Sequence, residues 1–336
     1  MSMNISEYLK EFVIRQKCIP WFVIAAWRKL CQYFQQMEWT ETEMYKAWSI
    51  GVYKMSLEEG VIKFNNLKGI KNPVLTAKNS GEEDIHFVAD PFIVYENGMY
   101  YVFFEVFKNE KGIIGLAESK DCKKWKYTNR VLEEPFHLSY PQVFKCDGKF
   151  YMIPECYESK SIRLYEAGNF PYEWRFVKTL LEGRDYVDST IFFFENKLWL
   201  FSSDTTSGNL FLYYSDSLDG IWKEHSKNPI IENNNSIARP GGNVLRIENR
   251  LIRIAQDDSD GYGHAVRAFE ISKLNTEEYE ENELPESPLF KASGKGWNKT
   301  GMHHLSACSV GENEWRVVAD GKVKCERNKI FNIFIN

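Results

Sequence analysis

Short runs of strand-forming residues recur along the chain in pairs, and a tight turn joins the two runs of each pair. In FVADPFIVYENGMYYVFFEV, residues 87–106, β-branched and aromatic residues flank Asn97-Gly98, a dipeptide typical of a two-residue hairpin. Equivalent segments have their turn residues at Asp147, Asn196, Asn249 and Asn313. The pattern therefore predicts five β-hairpins of similar construction.

The hairpins repeat at a nearly constant interval. Their turn residues lie 50, 49, 53 and 64 residues apart, and a third strand-like segment follows each of the first four. A period of about 50 residues built from antiparallel strands is the signature of a β-propeller blade. We predict an all-β fold, a five-bladed β-propeller with four strands per blade and blade starts near residues 88, 138, 187, 238 and 302. A two-sheet sandwich is the competing interpretation, but sandwiches do not ordinarily repeat at one interval.

The N-terminal segment lies outside the repeats. Residues 5–37 have a helix-forming composition that is interrupted at Pro20, where a helix should end or kink. We therefore predict a short helical N-terminal appendage over residues 1–46 and the propeller over residues 47–336. The segment AWSIGVYKM, residues 47–55, has the pattern of a strand that could join the last blade and close the ring.

Composition narrows the range of partners. The formal charge of −5 and the lack of a basic block argue against nucleic acid as a partner. The longest apolar run, IPWFVIAAW, is far shorter than the roughly 20 residues of a membrane span. The aromatic and basic N-terminal segment could lie on a membrane surface or dock on a partner, or its apolar face could pack on the propeller.

Cysteine usage indicates a reducing compartment. The seven cysteines lack metal-type spacing, and no signal peptide is apparent, so we expect reduced thiols in a cytoplasmic protein that can associate with a membrane surface. We predict no metal and no other cofactor. A glycine-rich phosphate loop between a strand and a helix is also missing from the sequence, so a nucleotide site is not predicted.

Candidate functional residues occupy two equivalent positions of each repeat. In a propeller blade, the first strand lines the central channel and the second runs back beside it, so the start of one and the end of the other share a face. The starts of the first strands provide Asp90, Tyr140, Asp188, Arg239 and the pair His303 and His304. The ends of the second strands provide Glu105, Glu155, Asp204 and Asp257, with Asp320 as a fifth candidate. We predict that these residues converge on a polar funnel, with Gln142 and Asn243 as further substrate-binding candidates.

Crowded carboxyl groups repel one another, which raises some pKa values and creates general acids beside bases or nucleophiles. Asp90 and Asp188 belong to the innermost strands and are expected to face a ligand. A single acid at a strand end is usually a solvated turn residue, and repeated acids can also reflect repeated hydrogen bonding between blades. Tyr140, Tyr262 and Trp297 could stack on a sugar ring. Adjacent strand residues point to opposite faces, so one of His303 and His304 should enter the funnel.

Several motifs resemble known carbohydrate-active propellers. Asp90-Pro91 at the first blade, Asp188 at the third and ARPGG at the fourth resemble glycoside hydrolase families 43, 32 and 68. The ordered set FVADPF, HLSYPQVF, YMIPE, DSTIF, ARPGG and GMHH resembles the propeller at the N-terminus of glucosamine inositolphosphorylceramide transferases and in bacterial surface-polysaccharide proteins. This second resemblance covers the chain from about residue 47 onward.

The hydrolase resemblance implies catalytic roles for three residues. Asp90 would be the base or nucleophile, and Asp188 would tune pKa values and orient the sugar. The glutamate general acid that those hydrolases place after the second aspartate has no counterpart here, since the fourth blade opens with Arg239. Glu155 in IPECYE resembles the glutamate of family 32 and is the remaining candidate acid, although it precedes Asp188.

Three functions are compatible with the sequence. The favoured one is an enzyme of cell-surface glycan or glycolipid assembly that acts at a glycosidic bond through Asp90 and Glu155. The alternative is a non-catalytic glycan- or glycolipid-binding module for a glycosyltransferase pathway, in which Arg239 would bind a phosphate or carboxylate. The third is a scaffold with an incidental funnel. The expected partners are a glycan or glycolipid substrate and polysaccharide-assembly enzymes.

Overall fold

The computed structural model describes the backbone of residues 40–80 and 85–330, and the side chains of residues 48–79, 85–128 and 130–323. Three short 3-10 helices occur there, at Ala77–Ser80, Tyr157–Ser159 and Gly296–Asn298. The strands are β1 (Thr40–Glu58), β2 (Val61–Asn66), β3 (Ile85–Glu96), β4 (Met99–Lys108), β5 (Lys111–Ser119), β6 (Lys126–Leu132), β7 (Ser139–Cys146), β8 (Lys149–Glu155), β9 (Ser161–Asn169), β10 (Glu173–Glu182), β11 (Tyr186–Phe194), β12 (Lys197–Asp204), β13 (Leu210–Ser215), β14 (Lys223–Glu224), β15 (Leu245–Ile247), β16 (Arg250–Asp257), β17 (Ala265–Leu274), β18 (Tyr279–Glu283), β19 (Phe290–Lys291), β20 (Leu305–Gly311) and β21 (Glu314–Ile330).

These strands form five antiparallel sheets, which are the blades of a five-bladed β-propeller. Blades 1 to 3 contain β3–β6, β7–β10 and β11–β14. Blade 4 contains β15–β18, with β19 paired to β17 as an extra strand. The predicted blade number is confirmed. The innermost strand of blade 4 begins later than expected, at Leu245, because the preceding ARPGG segment makes a single bridge, from Pro240 to Ala255.

The two ends of the chain share blade 5. Its strand order is β2-β1-β21-β20, so two strands from the start of the chain complete a sheet begun by its end. The predicted strand over residues 47–55 lies within β1 and closes the ring as expected. The helical appendage predicted for residues 1–46 falls largely on residues 1–39, which lie outside the described residues.

The hydrophobic core is divided among the interfaces between neighbouring blades. Five clusters of buried residues each combine strands of two adjacent sheets, and each fully buried aliphatic or aromatic side chain contributes roughly 1.5–3 kcal/mol. Representative pairs from blades 1–2, 2–3, 3–4, 4–5 and 5–1 are Leu116 with Met152, Leu164 with Leu200, Phe201 with Leu251, Ile254 with Val317, and Val318 with Val102. Within the described part of the chain, no helix is long and apolar enough to cross a lipid bilayer.

A β-bulge recurs at the same place on the innermost strands of blades 1 to 3. Asp90, Tyr140 and Asp188 have positive φ angles of 52°, 44° and 49°. The strand register shifts at each of them. Positive φ is uncommon for residues other than glycine, and a bulge redirects the side chain that it carries. The bulges therefore fix which side chains point along the channel.

One residue from each blade fills the channel, and we call this set the plug: Phe92, Tyr140, Thr190, Gly242 and His304. All five are buried. The Tyr140 hydroxyl lies 2.8 Å from Thr190 Oγ1 and accepts the N–H of Gly242 at 2.7 Å. Phe92, Tyr140 and His304 meet edge to face. At Gly242 a Cβ would lie 1.7 Å from the carbonyl oxygen of Leu305, so only glycine fits there.

Two side-chain amides bridge neighbouring blades beside the plug. Gln142 donates to the carbonyl of Ile191 at 2.9 Å and accepts its N–H at 2.6 Å. Asn243 donates to the carbonyl of Ala307 at 3.2 Å and accepts its N–H at 3.0 Å. Both amides, which the sequence suggested as substrate contacts, are thus engaged with backbone and tie blade 2 to blade 3 and blade 4 to blade 5.

We expect Gln142→Met to destabilise the protein by roughly 2–4 kcal/mol, because the N–H and the carbonyl of Ile191 would be left buried without partners. Urea-induced unfolding followed by tryptophan fluorescence measures the change. The control is Lys273→Met, which removes an exposed ion pair with Glu278 and should change stability by less than about 1 kcal/mol. A Gln142→Met variant no less stable than this control would contradict the bridging role.

Candidate functional site

Five carboxyl groups collect beside the plug at one end of the channel, which we call the mouth. This carboxyl cluster comprises Asp90, Glu105, Glu155, Asp188 and Asp320, and each of these residues is at most 6% exposed. Buried carboxyl groups at such density need hydrogen-bond donors or cations, because an uncompensated buried charge is strongly unfavourable. The partners of each carboxyl therefore define what the mouth can do.

Three of the carboxyl groups hold the bulged backbone of a neighbouring blade. The N–H of Asp188 donates to Glu155 Oε2 at 3.0 Å, and that of Asp90 donates to Asp320 Oδ2 at 3.2 Å. The N–H of Tyr140 donates to Asp90 Oδ2 at 3.3 Å. A bulge leaves its residue unpaired in the strand ladder, and a buried N–H requires another acceptor. Part of the repeated acid pattern is therefore structural hydrogen bonding between blades.

Asp188 is bound by an arginine and an amide of blade 4. Its Oδ2 lies 2.5 Å from Arg239 Nε and 2.5 Å from Gln256 Nε2. Arg239 Nη2 also lies 3.7 Å from Glu155 Oε2, and its guanidinium faces the ring of Tyr262 at 5.4 Å. The Arg239 side chain is 26% exposed, so this ion pair forms part of the surface of the mouth.

Asp90 is in contact with a histidine that a second aspartate holds. His303 Nδ1 lies 2.7 Å from Asp320 Oδ2, and His303 Nε2 lies 3.3 Å from Asp90 Oδ1. Both contacts are close enough for ion pairs but lack hydrogen-bond geometry, and Asp90 Oδ1 has no hydrogen-bond partner. Nε2 instead lies 3.0 Å from the Tyr262 hydroxyl. The Trp48 ring stacks on the imidazole at 4.1 Å.

Burial and neighbouring charges shift the pKa values of these groups. Burial raises the pKa of Asp90 to about 7, although the His303 charge opposes the rise. Burial works against protonation of His303, but the Asp320 and Asp90 charges outweigh it and raise the pKa of His303 to about 9. Burial disfavours the charged form of Asp320 too, yet His303 holds its pKa below the usual value. His303 and Asp320 thus form an ion pair at neutral pH.

Glu155 and Glu105 are the carboxyl groups most favoured to carry a proton. Burial and then the Asp188 charge raise the pKa of Glu155 well above its usual range. Burial and then Asp90 do the same for Glu105. Glu105 Oε1 lies 3.4 Å from His137 Nε2, and His137 Nδ1 accepts the N–H of Gly112, which leaves the Nε2 proton of a neutral imidazole directed at Glu105.

Asp90, His303 and Asp320 also satisfy the geometry of a cation site. Their ligand atoms lie within 4.8 Å of one another in the described part of the chain. His303 Nδ1 and Asp320 Oδ2 already contact each other, 2.7 Å apart. This arrangement fits a series of ion pairs better than three ligands directed at one metal ion. The absence of a metal cofactor stays a prediction.

Two predicted acids lie outside this arrangement. Asp204 accepts the N–H groups of Thr206 and Ser207, and Asp257 accepts the N–H of Ser259, so both stabilise the loop that follows their strand. The positions facing the channel are the preceding residues, Ser203 and Gln256, both at most 2% exposed.

Loop register explains this difference. In blade 1 the turn residue Asn97 is the first of two loop residues between Glu96 and Met99, whereas in blade 3 Asn196 is the second, between Phe194 and Lys197. The prediction places the acids of blades 1 to 4 at a fixed distance after the turn residue. In blades 3 and 4 this distance ends one residue beyond the position that faces the channel. A one-residue slip places a strand side chain on the opposite face.

The predicted site residues thus divide into four groups. Asp90, Glu105, Glu155, Asp188, Arg239 and His303 meet at the mouth. Tyr140 and His304 are in the plug, where burial lowers the pKa of His304 to about 3 and keeps its imidazole neutral. Gln142 and Asn243 bridge blades, and Asp204 and Asp257 stabilise loops. Gln256 and Trp48 are mouth residues that the sequence pattern did not single out, since neither matches the aligned acid or first-strand positions.

We expect Arg239→Met to destabilise the protein by roughly 2–4 kcal/mol, because Asp188 would remain buried without its cation. Combining it with Asp188→Asn should recover much of that loss, since no unpaired charge remains. A double-mutant cycle by urea unfolding measures the coupling. Lys197→Met, which breaks an exposed pair with Asp216, provides the comparison for an ordinary surface ion pair. Additive effects of the two mouth substitutions would contradict the described ion pair.

The chain matches known proteins at two levels. The family model described as glucosamine inositolphosphorylceramide transferase 1, N-terminal, matches residues 42–322. Glucosamine inositolphosphorylceramide transferase 1 of Oryza sativa subsp. japonica is 36% identical over 299 residues, which cover 82% of this chain and 40% of the relative. The protein of the same name from Arabidopsis thaliana is 38% identical over 298 residues, covering 82% and 39%.

Solved structures resemble the chain in fold alone. The catalytic domain of the Coprinopsis cinerea GH62 α-L-arabinofuranosidase superposes with a TM-score of 0.55 at 15% identity, covering 71% of this chain and 93% of that domain. This likeness agrees with the five-bladed ring. The assignment to a family rests on the sequence relatives instead. The chain spans about two fifths of the length of those relatives. The chain belongs to the family of glucosamine inositolphosphorylceramide transferase 1 N-terminal domains.

Proposed function

We propose that the mouth of this propeller recognises the sugar portion of a glycan or glycolipid and that the protein takes part in glycolipid glycosylation. The observation that carries the proposal is Asp90 Oδ1, a buried carboxyl oxygen without a hydrogen-bond partner. Beside it, the Tyr262 residue is 38% exposed and contacts both Arg239 and His303. A sugar hydroxyl can donate to such an oxygen while the sugar ring packs on an aromatic side chain. The names of the sequence relatives support a glycolipid as the ligand class.

Recognition fits the carboxyl groups better than hydrolysis does. Glycosidases use two carboxyl groups that flank the scissile bond, one as the acid and the other as base or nucleophile. Here Asp188 is bound by Arg239 and Gln256, and an oxygen of Glu155 accepts the N–H of Asp188. All three predicted catalytic carboxyl groups are therefore engaged in holding blades together, since Asp90 Oδ2 likewise accepts the N–H of Tyr140, although Asp90 Oδ1 keeps no hydrogen-bond partner.

The same contacts identify the part of a glycolipid that would enter the mouth. Arg239 was a candidate phosphate ligand, but its guanidinium already pairs with Asp188 and lies beside Glu155. A phosphate placed there would also approach the carboxyl oxygens, which repel it. Neutral sugar hydroxyl groups meet no such repulsion, so they are the proposed ligand groups. Contacts with polysaccharide-assembly enzymes and a cytoplasmic, membrane-peripheral location stay predictions.

A second candidate is chemistry at a glycosidic bond, and the protonation states at the mouth favour it. Asp90, whose pKa lies at about 7, can accept a proton from an attacking hydroxyl group near neutral pH. Glu155, whose pKa is raised, would keep a proton to donate to the leaving oxygen. The attacking oxygen then bonds to the anomeric carbon as the glycosidic bond breaks, and the proton balance closes between the two carboxyl groups.

We expect Asp90→Asn to weaken glycan binding by about 1–3 kcal/mol, which is roughly 5- to 150-fold, because a charge-assisted hydrogen bond is lost while the side-chain size is kept. A glycan array followed by isothermal titration calorimetry with the tightest-binding glycan measures the change. Asp204→Asn, a change in a loop outside the mouth, is the matched control and should bind like the parent protein.

The same variants separate the two candidate functions. Recognition predicts no turnover of the bound glycan by either the parent or Asp90→Asn. Glycosidic-bond chemistry predicts turnover by the parent and a fall of several orders of magnitude in Asp90→Asn. Equal glycan binding by Asp90→Asn and Asp204→Asn, without turnover in the parent, would contradict both.

A further inference from the structure

We propose that His303 is a positioning residue for Asp90, that Asp320 and Trp48 hold its imidazole in place, and that the strand which closes the ring thereby completes the mouth. The inference rests on the proposed function, since it assigns Asp90 as the group that meets the ligand. It goes beyond that function because His303, Asp320 and Trp48 act through Asp90 and need not touch a ligand themselves.

Asp320 cannot turn away from His303. Its Oδ1 accepts the N–H groups of both His303 and His304 at 3.1 Å, which directs Oδ2 at Nδ1 of the His303 ring, 2.7 Å away. With Nδ1 paired to Asp320, the opposite nitrogen Nε2 faces Asp90 Oδ1 at 3.3 Å. The backbone of blade 5 thus fixes the aspartate, the aspartate fixes the imidazole, and the imidazole presents its charge to blade 1.

Trp48 fixes the plane of the same imidazole. The two rings stack with centroids 4.1 Å apart and an angle of 23° between their planes. Tyr262 meets the imidazole edge on, with centroids 5.2 Å apart. Trp48 belongs to β1, the strand from the start of the chain that pairs into blade 5. Ring closure and the orientation of His303 therefore depend on the same segment.

The charges around His303 come from several elements. Titratable groups that act on it or on Asp90 are Asp188, Asp320, Glu105, His304, Arg239 and Tyr262. Lys322 lies over the rings of Trp48 and Tyr262. Among the groups that act on His303 or Asp90, His304 is held neutral by burial, and Arg239 lies closest to Asp188. The imidazolium of His303 is the cation in direct contact with Asp90, so its loss should favour the protonated form of Asp90.

The test is the titration of Asp90 itself, which needs no ligand. In protein labelled with ¹³C at aspartate Cγ, the Asp90 resonance is assigned by its absence from Asp90→Asn and is followed from pH 5 to pH 10. The parent should titrate near pH 7. His303→Gln should move the midpoint upward by about one pH unit or more, because an opposite charge within a few ångströms lowers a carboxyl pKa by about that amount.

Two further variants extend the chain of contacts. Asp320→Asn keeps an oxygen for the N–H groups of His303 and His304, although the N–H of Asp90 loses its acceptor. The substitution removes the charge that holds His303 protonated. Loss of the Asp320 charge by itself lowers the Asp90 midpoint, but the His303 charge acts on Asp90 more strongly, so the midpoint should still rise, by less than in His303→Gln. Trp48→Leu should raise the midpoint less, by loosening the imidazole. His225→Gln is the control, because His225 is a buried histidine that contacts the carbonyl of Asn275 and the N–H of Lys227 rather than a carboxyl group.

The outcomes are separable. An Asp90 midpoint that stays at its parent value in folded His303→Gln would overturn the positioning role, and Asp320→Asn decides the question in the same way if His303→Gln does not fold. Circular dichroism establishes folding for each variant. In the parent, glycan affinity should rise with pH in step with the Asp90 titration. If glycan affinity does not follow this titration, the proposed function is wrong. The shifts of the Asp90 midpoint in the variants then still decide whether His303 positions Asp90.

Discussion

The mouth and the plug both depend on one backbone constraint, the left-handed conformation of Asp90, Tyr140 and Asp188. At each of these residues a bulge turns the strand and frees an N–H from the ladder, and in all three a carboxyl oxygen accepts it from the preceding blade. The acids are thus required by the backbone, and the backbone aims two of them at the channel. Because every bulge is satisfied by a neighbour, the geometry of the mouth is a property of the complete ring.

The plug gives the mouth its chemical character. Tyr140, Thr190 and Gly242 are joined by hydrogen bonds across the channel, and the aromatic rings of Phe92 and His304 pack against them. The buried side chains of the plug cover the carboxyl groups on one side. Burial strengthens the interactions of these groups with one another and with His303 and Arg239. The mouth is consequently a polar surface beside the plug.

Much of the fold followed from the sequence because turns and strand patterns are local signals. The turn residues and their interval of about 50 residues predicted five blades, and the pattern around Trp48 predicted the strand that closes the ring. The error in register came from the turn as well, since Asn97 and Asn196 occupy different positions of a two-residue loop. Composition does not reveal that difference. As a result the sequence predicted Asp257 at the channel, where the structure has Gln256.

The site was predictable in its members more than in their roles. Asp90, Asp188, Glu155, Arg239 and His303 meet as expected, because equivalent positions of a repeat must lie around one axis. The roles depend on contacts between blades, such as the pairing of Arg239 with Asp188, and these contacts join residues about 50 positions apart in the chain. A list of strand ends cannot show whether a carboxyl group accepts a backbone N–H, pairs with a cation or faces a ligand.

The proposed function requires a sugar to bind at the mouth against Asp90. The most direct measurement is a crystal structure of the protein with the tightest-binding glycan from an array. We expect a sugar hydroxyl within hydrogen-bond distance of Asp90 Oδ1, with the sugar ring beside Tyr262. A glycan bound on the outer strands of the blades, with the mouth left to solvent, would contradict it.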